Sequence, residues 1–66
     1  MRIVVNGQVQ DHAPATTLAQ LLERLALEPR RVAVELNRCI VPRSRYAATS
    51  LADRDELEIV TLVGGG

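Results

Sequence analysis

The chain of 66 residues contains no lysine, no tryptophan and no phenylalanine; cysteine and tyrosine occur once each, and the formal net charge is zero. Each shortage argues against a class of function. Eight arginines balance eight carboxylates, so there is no standing excess of cations of the kind that displaces counterions from nucleic acid. A single aromatic ring, Tyr46, offers no platform on which exposed bases could stack. General nucleic-acid binding is therefore not expected. One cysteine, Cys39, cannot form an internal disulfide, so no covalent staple supports the fold. No apolar run approaches the roughly twenty residues that cross a bilayer. The opening Met-Arg-Ile-Val-Val-Asn-Gly alternates like a strand and turns, where a signal peptide needs a longer apolar core. The expected setting is cytoplasmic.

What is present points to one small folded domain. The hydrophobic share is 47 %, within the range of soluble globular domains and well above that of disordered chains. At this length apolar burial barely exceeds the entropy of ordering the chain, which leaves little stability for a strained, buried catalytic centre. A carrier or binding module fits better than a self-sufficient enzyme.

The pattern of apolar residues predicts the elements. Met1 to Val5 alternates as a strand, with Ile3 and Val5 on one face and Val4 on the other. Asn6-Gly7 is a hairpin signal, because a type I′ turn needs positive φ at both central positions. Gln8 to His12 returns as an edge strand. Leu18, Leu21, Leu22 and Leu25 then fall on one helical stripe. Thr17 and Gln20 form a capping box at its start, and Pro29 is expected to stop the helix after about ten residues. Val32 to Leu36 reads as a half-buried strand, Asn37-Arg38 as a turn, and Cys39 to Val41 as a short strand ended by Pro42. Arg43 to Ser50 reads as irregular or one helical turn, with Tyr46 inward. Ala52 to Asp55 is a turn and Glu56 to Val63 the longest strand. A right-handed crossover lets that last strand lie parallel to the first, with the helix on one face of a mixed sheet. The expected fold is α+β: a β-grasp, or ubiquitin-like, roll of four to five strands with one main helix. Its expected extent is residues 1–63, followed by a flexible glycine tail, residues 64–66.

The three consecutive glycines, Gly64, Gly65 and Gly66, carry the chemistry. They have maximal backbone freedom and, fully extended, reach about 10 Å. A thread without side chains can enter a slot too narrow for any other residue. The carboxylate of Gly66, with an ordinary pKa of about 3.3–3.7, is ionised at neutral pH and able to attack phosphorus. Read alone, the glycines are equally a frayed end; after a β-grasp pattern, the threading role is the stronger reading.

The chain resembles the ThiS-type sulfur carrier family of thiamin thiazole synthesis. The likeness covers essentially the full length. It rests on Ile-Val-Val-Asn-Gly at 3–7, Val-Ala-Val-Glu-Leu-Asn at 32–37, Ile-Val-Pro-Arg at 40–43, Glu-Ile-Val at 58–60 and Val-Gly-Gly-Gly at 63–66. Arg54 departs from it, standing in a turn where Gly-Asp is frequent. The resemblance implies that an E1-like adenylyltransferase uses ATP and Mg²⁺ to adenylate the Gly66 carboxylate. Sulfur from a persulfide-bearing donor then replaces AMP to give a thiocarboxylate, and thiazole synthase accepts that sulfur. The chain itself is then a co-substrate and not an enzyme. It has no Gly-x-x-x-x-Gly-Lys phosphate loop, and no cofactor or metal is expected on it.

Val4, Val60, Leu62 and Val63 are candidate partner-binding residues, since Val4, Val60 and Leu62 are expected side by side on the sheet face away from the helix. Cys39 reads as packing beside Ile40 and Val41. His12 has no companion at ligand spacing. Asp53, Asp55, Glu56 and Glu58 read as a solvated turn and strand face. Charge is segregated: residues 30–45 hold five arginines against Glu35, and residues 51–66 hold four carboxylates against Arg54. Such segregation can steer docking. Three other readings remain open: the small subunit of molybdopterin synthase, a protein modifier of the ubiquitin kind, and a non-catalytic β-grasp binding module.

Overall fold

A computed structural model describes residues 1–63. The expected glycine tail, Gly64 to Gly66, lies outside the described residues. The first strand, β1 (Arg2–Val5), turns through Asn6 and Gly7 into β2 (Gln8–Asp11). Asn6 and Gly7 have φ of 50° and 80°, the left-handed pair that a type I′ turn requires. The helix α1 (Leu18–Arg24) begins with the expected capping box: Thr17 Oγ1 accepts from the Gln20 N–H at 3.2 Å, and Gln20 Oε1 accepts from the Thr17 N–H at 2.9 Å. Strands β3 (Val32–Leu36), β4 (Cys39–Val41) and β5 (Glu56–Thr61) follow. A 3-10 turn, Pro29–Arg31, precedes β3, and a longer one, Arg43–Ala48, follows β4.

The helix is shorter than expected, seven residues rather than about ten, and Pro29 is not what ends it. Ala26 adopts φ 57°. Its N–H donates to the Glu23 carbonyl at 3.0 Å and that of Leu27 to the Leu22 carbonyl at 2.9 Å. Those two bonds make a Schellman motif, which satisfies the last carbonyls and reverses the chain. Leu25 therefore caps the helix half-buried, while Leu18, Leu21 and Leu22 are fully buried. Pro29 instead opens the 3-10 turn, where its missing N–H costs nothing.

The five strands form one sheet in the order β2-β1-β5-β3-β4. The parallel pairing of β1 with β5 is the expected one, and all other neighbours are antiparallel. The last strand is thus central, and ends at Thr61 rather than Val63. Ile3, Val5, Val32, Val34, Leu57 and Ile59 face α1 and close the core with Leu18, Leu21, Leu22, Tyr46 and Leu51. Tyr46 reaches this core from the longer 3-10 turn, 4 % exposed. Two backbone bonds, Leu18 N–H to the Thr49 carbonyl (2.8 Å) and Leu51 N–H to the Thr16 carbonyl (2.9 Å), tie the helix start to the segment carrying Leu51. With the helix covering one face, the other face of the sheet is open.

Candidate functional site

β5 is the strand that leads to the glycines, and two asparagines fix it. Asn6 leaves β1 at φ 50°, so its carboxamide swings alongside β5. There Oδ1 accepts the Ile59 N–H at 2.7 Å and Nδ2 donates to the Ile59 carbonyl at 3.0 Å. The Asn6 N–H also donates to the Leu57 carbonyl at 2.9 Å. Asn37, likewise at φ 50°, does a related job from the β3 side: its Oδ1 accepts the Glu56 N–H at 3.0 Å and its Nδ2 donates to Asp55 at 3.0 Å. Short polar side chains are the ones that tolerate left-handed φ and can hydrogen-bond locally. Beyond β5, the Leu62 N–H donates to the Arg31 carbonyl at 2.7 Å, so the chain is held in line as far as Leu62.

The expected partner residues do not form one patch. Val4 lies opposite Val9 on β2 and Glu56 on β5, whereas Val60 lies opposite Ala33 on β3. Val60 is thus four residues further along β5 than the neighbour of Val4, about 13 Å at the usual strand rise. Glu58 sits between them. A parallel register cannot be read from alternation alone, and the expectation that Val4 adjoins Val60 and Leu62 is corrected here. Two apolar islands result. One is Val4, half-buried, with Val9, 65 % exposed; the other is Val60, Leu62 and Val63 at 57 %, 48 % and 95 %. Ile40, 76 % exposed, pairs with Glu35, in the row of Glu58 and two strands from β5. Its exposure is legible in the sequence, because Val41 facing the core turns Ile40 outward.

Glu35 and Glu58 are direct cross-strand neighbours on the open face, a like-charge pairing that disfavours the sheet. Asp53 and Asp55, by contrast, organise the turn before β5. Asp53 accepts the Arg2 N–H at 2.7 Å, and Asp55 accepts from Asn37 and from the Ala52 N–H at 2.8 Å. That accounts for both carboxylates as structure. Cys39 is exposed, not packed as expected: it shares the inward side of β4 with Val41, but at the sheet edge. His12 bonds to Gln10 at 2.8 Å. Among the described residues no group of three His, Cys, Asp or Glu could hold a metal ion, and no helix is long and apolar enough to cross a membrane.

Against known proteins, the family model described as the ThiS family matches residues 3–66. The chain is 44 % identical over all 66 residues to a thiazole synthase of Paramagnetospirillum magneticum, of whose length it spans only 20 %. It is 46 % identical over 50 residues to the sulfur carrier protein ThiS of Bacillus subtilis, covering 76 % of each chain. Its structure superimposes on the crystal structure of the thiamine biosynthesis protein (ThiS) of Geobacter metallireducens with a TM-score of 0.84, at 33 % identity and with all of both chains covered. The shared fold is the β-grasp, as the order of elements led one to expect. With the match running through the strand that Asn6 and Asn37 hold and on to the final glycine, the chain belongs to the ThiS family.

Proposed function

We propose that this chain carries sulfur for the synthesis of the thiamin thiazole, as a cytoplasmic co-substrate that partner enzymes modify. The observation that carries the reading is the family match through Gly66, on a fold whose central strand leads directly to the glycines. The Gly66 carboxylate attacks the α-phosphorus of ATP, bound with Mg²⁺ by an E1-like partner, and pyrophosphate leaves. A mixed anhydride makes a poor electrophile reactive, and the partner has to stabilise the phosphate charge. The terminal sulfur of a donor persulfide then displaces AMP, and a thiol cleaves the remaining sulfur–sulfur bond to leave a thiocarboxylate on Gly66. Gly64 and Gly65 let that group enter narrow active sites.

The relatives named thiazole synthase, in which a segment like this chain makes up 20 % of the length, support thiazole synthase as the acceptor over molybdopterin synthase. The test is a fragment-ion mass after incubation with ATP, Mg²⁺, the host's activating enzyme and a persulfide donor. Sulfur placed on Gly66 is the expected result. An unmodified Gly66, with an enzyme active on another carrier, would replace this reading with a binding module.

A further inference from the structure

The sheet places four arginines around the point where β5 ends. Thr61 of β5 pairs with Val32 at the start of β3, so the 3-10 turn carrying Arg30 and Arg31 lies beside that end, and the Arg31 carbonyl holds the Leu62 N–H. Val41 of β4 pairs with Val34. The chain then runs through Pro42 towards the level of Val32, which brings Arg43 to the same end, about one strand spacing, ~5 Å, outside β3, and Arg45 follows two residues later in the 3-10 turn that begins there. All four arginines are exposed. Among the described residues the ion pairs are the Met1 ammonium with Asp11 and Arg54 with Asp53, so none of the four is neutralised by a carboxylate. Glu28 caps the first of these turns through its backbone, without pairing with either arginine. The remaining carboxylates of the sheet, Glu35, Glu56 and Glu58, lie on its open face and Asp53 and Asp55 at its far end. Arg2, Arg38 and Arg54 stand among the carboxylates of that far end, so in a chain of zero net charge the local excess of cations falls where β5 ends.

We infer that Arg30, Arg31, Arg43 and Arg45 form a basic collar that docks on carboxylates at the mouth of the activating enzyme's slot. This rests on the carrier reading above. In the activation step an anionic carboxylate has to approach the anionic phosphates of ATP, and that approach is repulsive. Cations at the root of the tail offset the repulsion and, given an acidic mouth, steer the encounter. A collar of charge acts on the association rate and leaves dissociation fast, which suits a carrier that docks and departs in every cycle. Arginine is suited to the contact because its planar fork meets carboxylates bidentately.

The experiment compares two double variants of equal charge, R31Q/R43Q in the collar and R2Q/R54Q at the opposite end of the sheet. Association with the host's activating enzyme is measured by stopped flow from low to high salt, and sulfur on Gly66 is followed in parallel. The collar variant is expected to associate about tenfold more slowly at low salt with a flatter salt dependence, while R2Q/R54Q follows the parent chain. At high salt all three converge. Equal slowing of both variants would reduce the effect to net charge and overturn the collar, as would no slowing of R31Q/R43Q. If the parent chain acquires sulfur in either case, the carrier reading stands without the collar; if it acquires none, both fall. Unchanged thermal unfolding of both variants, expected for exposed side chains, excludes misfolding as the cause.

Discussion

The carboxamide of Asn6 engages both backbone polar groups of Ile59, its Oδ1 accepting the N–H at 2.7 Å and its Nδ2 donating to the carbonyl at 3.0 Å. One side chain thereby extends the ladder between β1 and β5 beyond the point where β1 has turned away. It fixes the strand five residues ahead of Gly64.

Replacing Asn6 with glycine keeps the left-handed turn available and deletes the two side-chain bonds. The expected loss is about 1–3 kcal/mol, two hydrogen bonds at their usual net worth, read as a lower urea midpoint with unchanged slope. Asn6→Ala should cost more, because alanine adds the strain of positive φ. Equal stability of N6G and the parent chain would mean that the clamp contributes nothing.

Arg54 and Arg38 make the opposite test. Both have φ of 71°, the region that an arginine side chain disfavours, and the Arg54 contact with Asp53 is long, at 3.9 Å, and exposed. R54G and R38G should each raise stability by up to about 1 kcal/mol, the strain relieved less the entropy glycine adds to the unfolded chain. Thermal unfolding of the two single variants and the double checks this, and the double also reads any coupling through the Asn37–Asp55 bond that joins the two turns.

Removing the Thr17 hydroxyl should cost about 1 kcal/mol, since T17A leaves the Gln20 N–H without its cap. The capping box matters more than in a long helix, because seven residues are too few to hold a helix by propensity alone. Loss of α1 ellipticity on melting would occur at lower temperature in T17A, and an unchanged midpoint would contradict the assignment.

Most of the architecture was legible because it is written in local periodicity. The leucine stripe, the capping box and the Asn-Gly turn each have one physical reading. Two features were not legible. Ala26 ends α1 although nothing about alanine announces positive φ; the signal is Leu27, whose burial against the core makes the reversal worthwhile. The separation of Val4 from Val60 depends on how β1 and β5 are staggered, and a parallel pairing across a long crossover leaves no mark in either strand's pattern. The glycines stand out in the sequence, but a threading role for them is expected only once the β-grasp pattern precedes them, and the arginines around the end of β5 come together only once β3 and β4 are placed.

That separation makes the two apolar islands distinguishable in solution. V60D should weaken binding to the activating enzyme and to thiazole synthase at least about tenfold, as expected for a charge placed in a desolvated contact. V9D, on the remote island beside Val4, should leave both affinities unchanged. Calorimetric titration of each variant decides it, and equal losses would restore a single continuous patch.

The most direct measurement follows the sulfur itself. The chain is charged with heavy-isotope sulfur at Gly66 and then given to the host's thiazole synthase with its other substrates, and the mass of the thiazole product is read. The account predicts the heavy isotope in the thiazole ring and the ordinary carboxylate restored at Gly66. Heavy sulfur retained on the protein, or a thiazole formed without it while the carrier is intact and the synthase active, would contradict it.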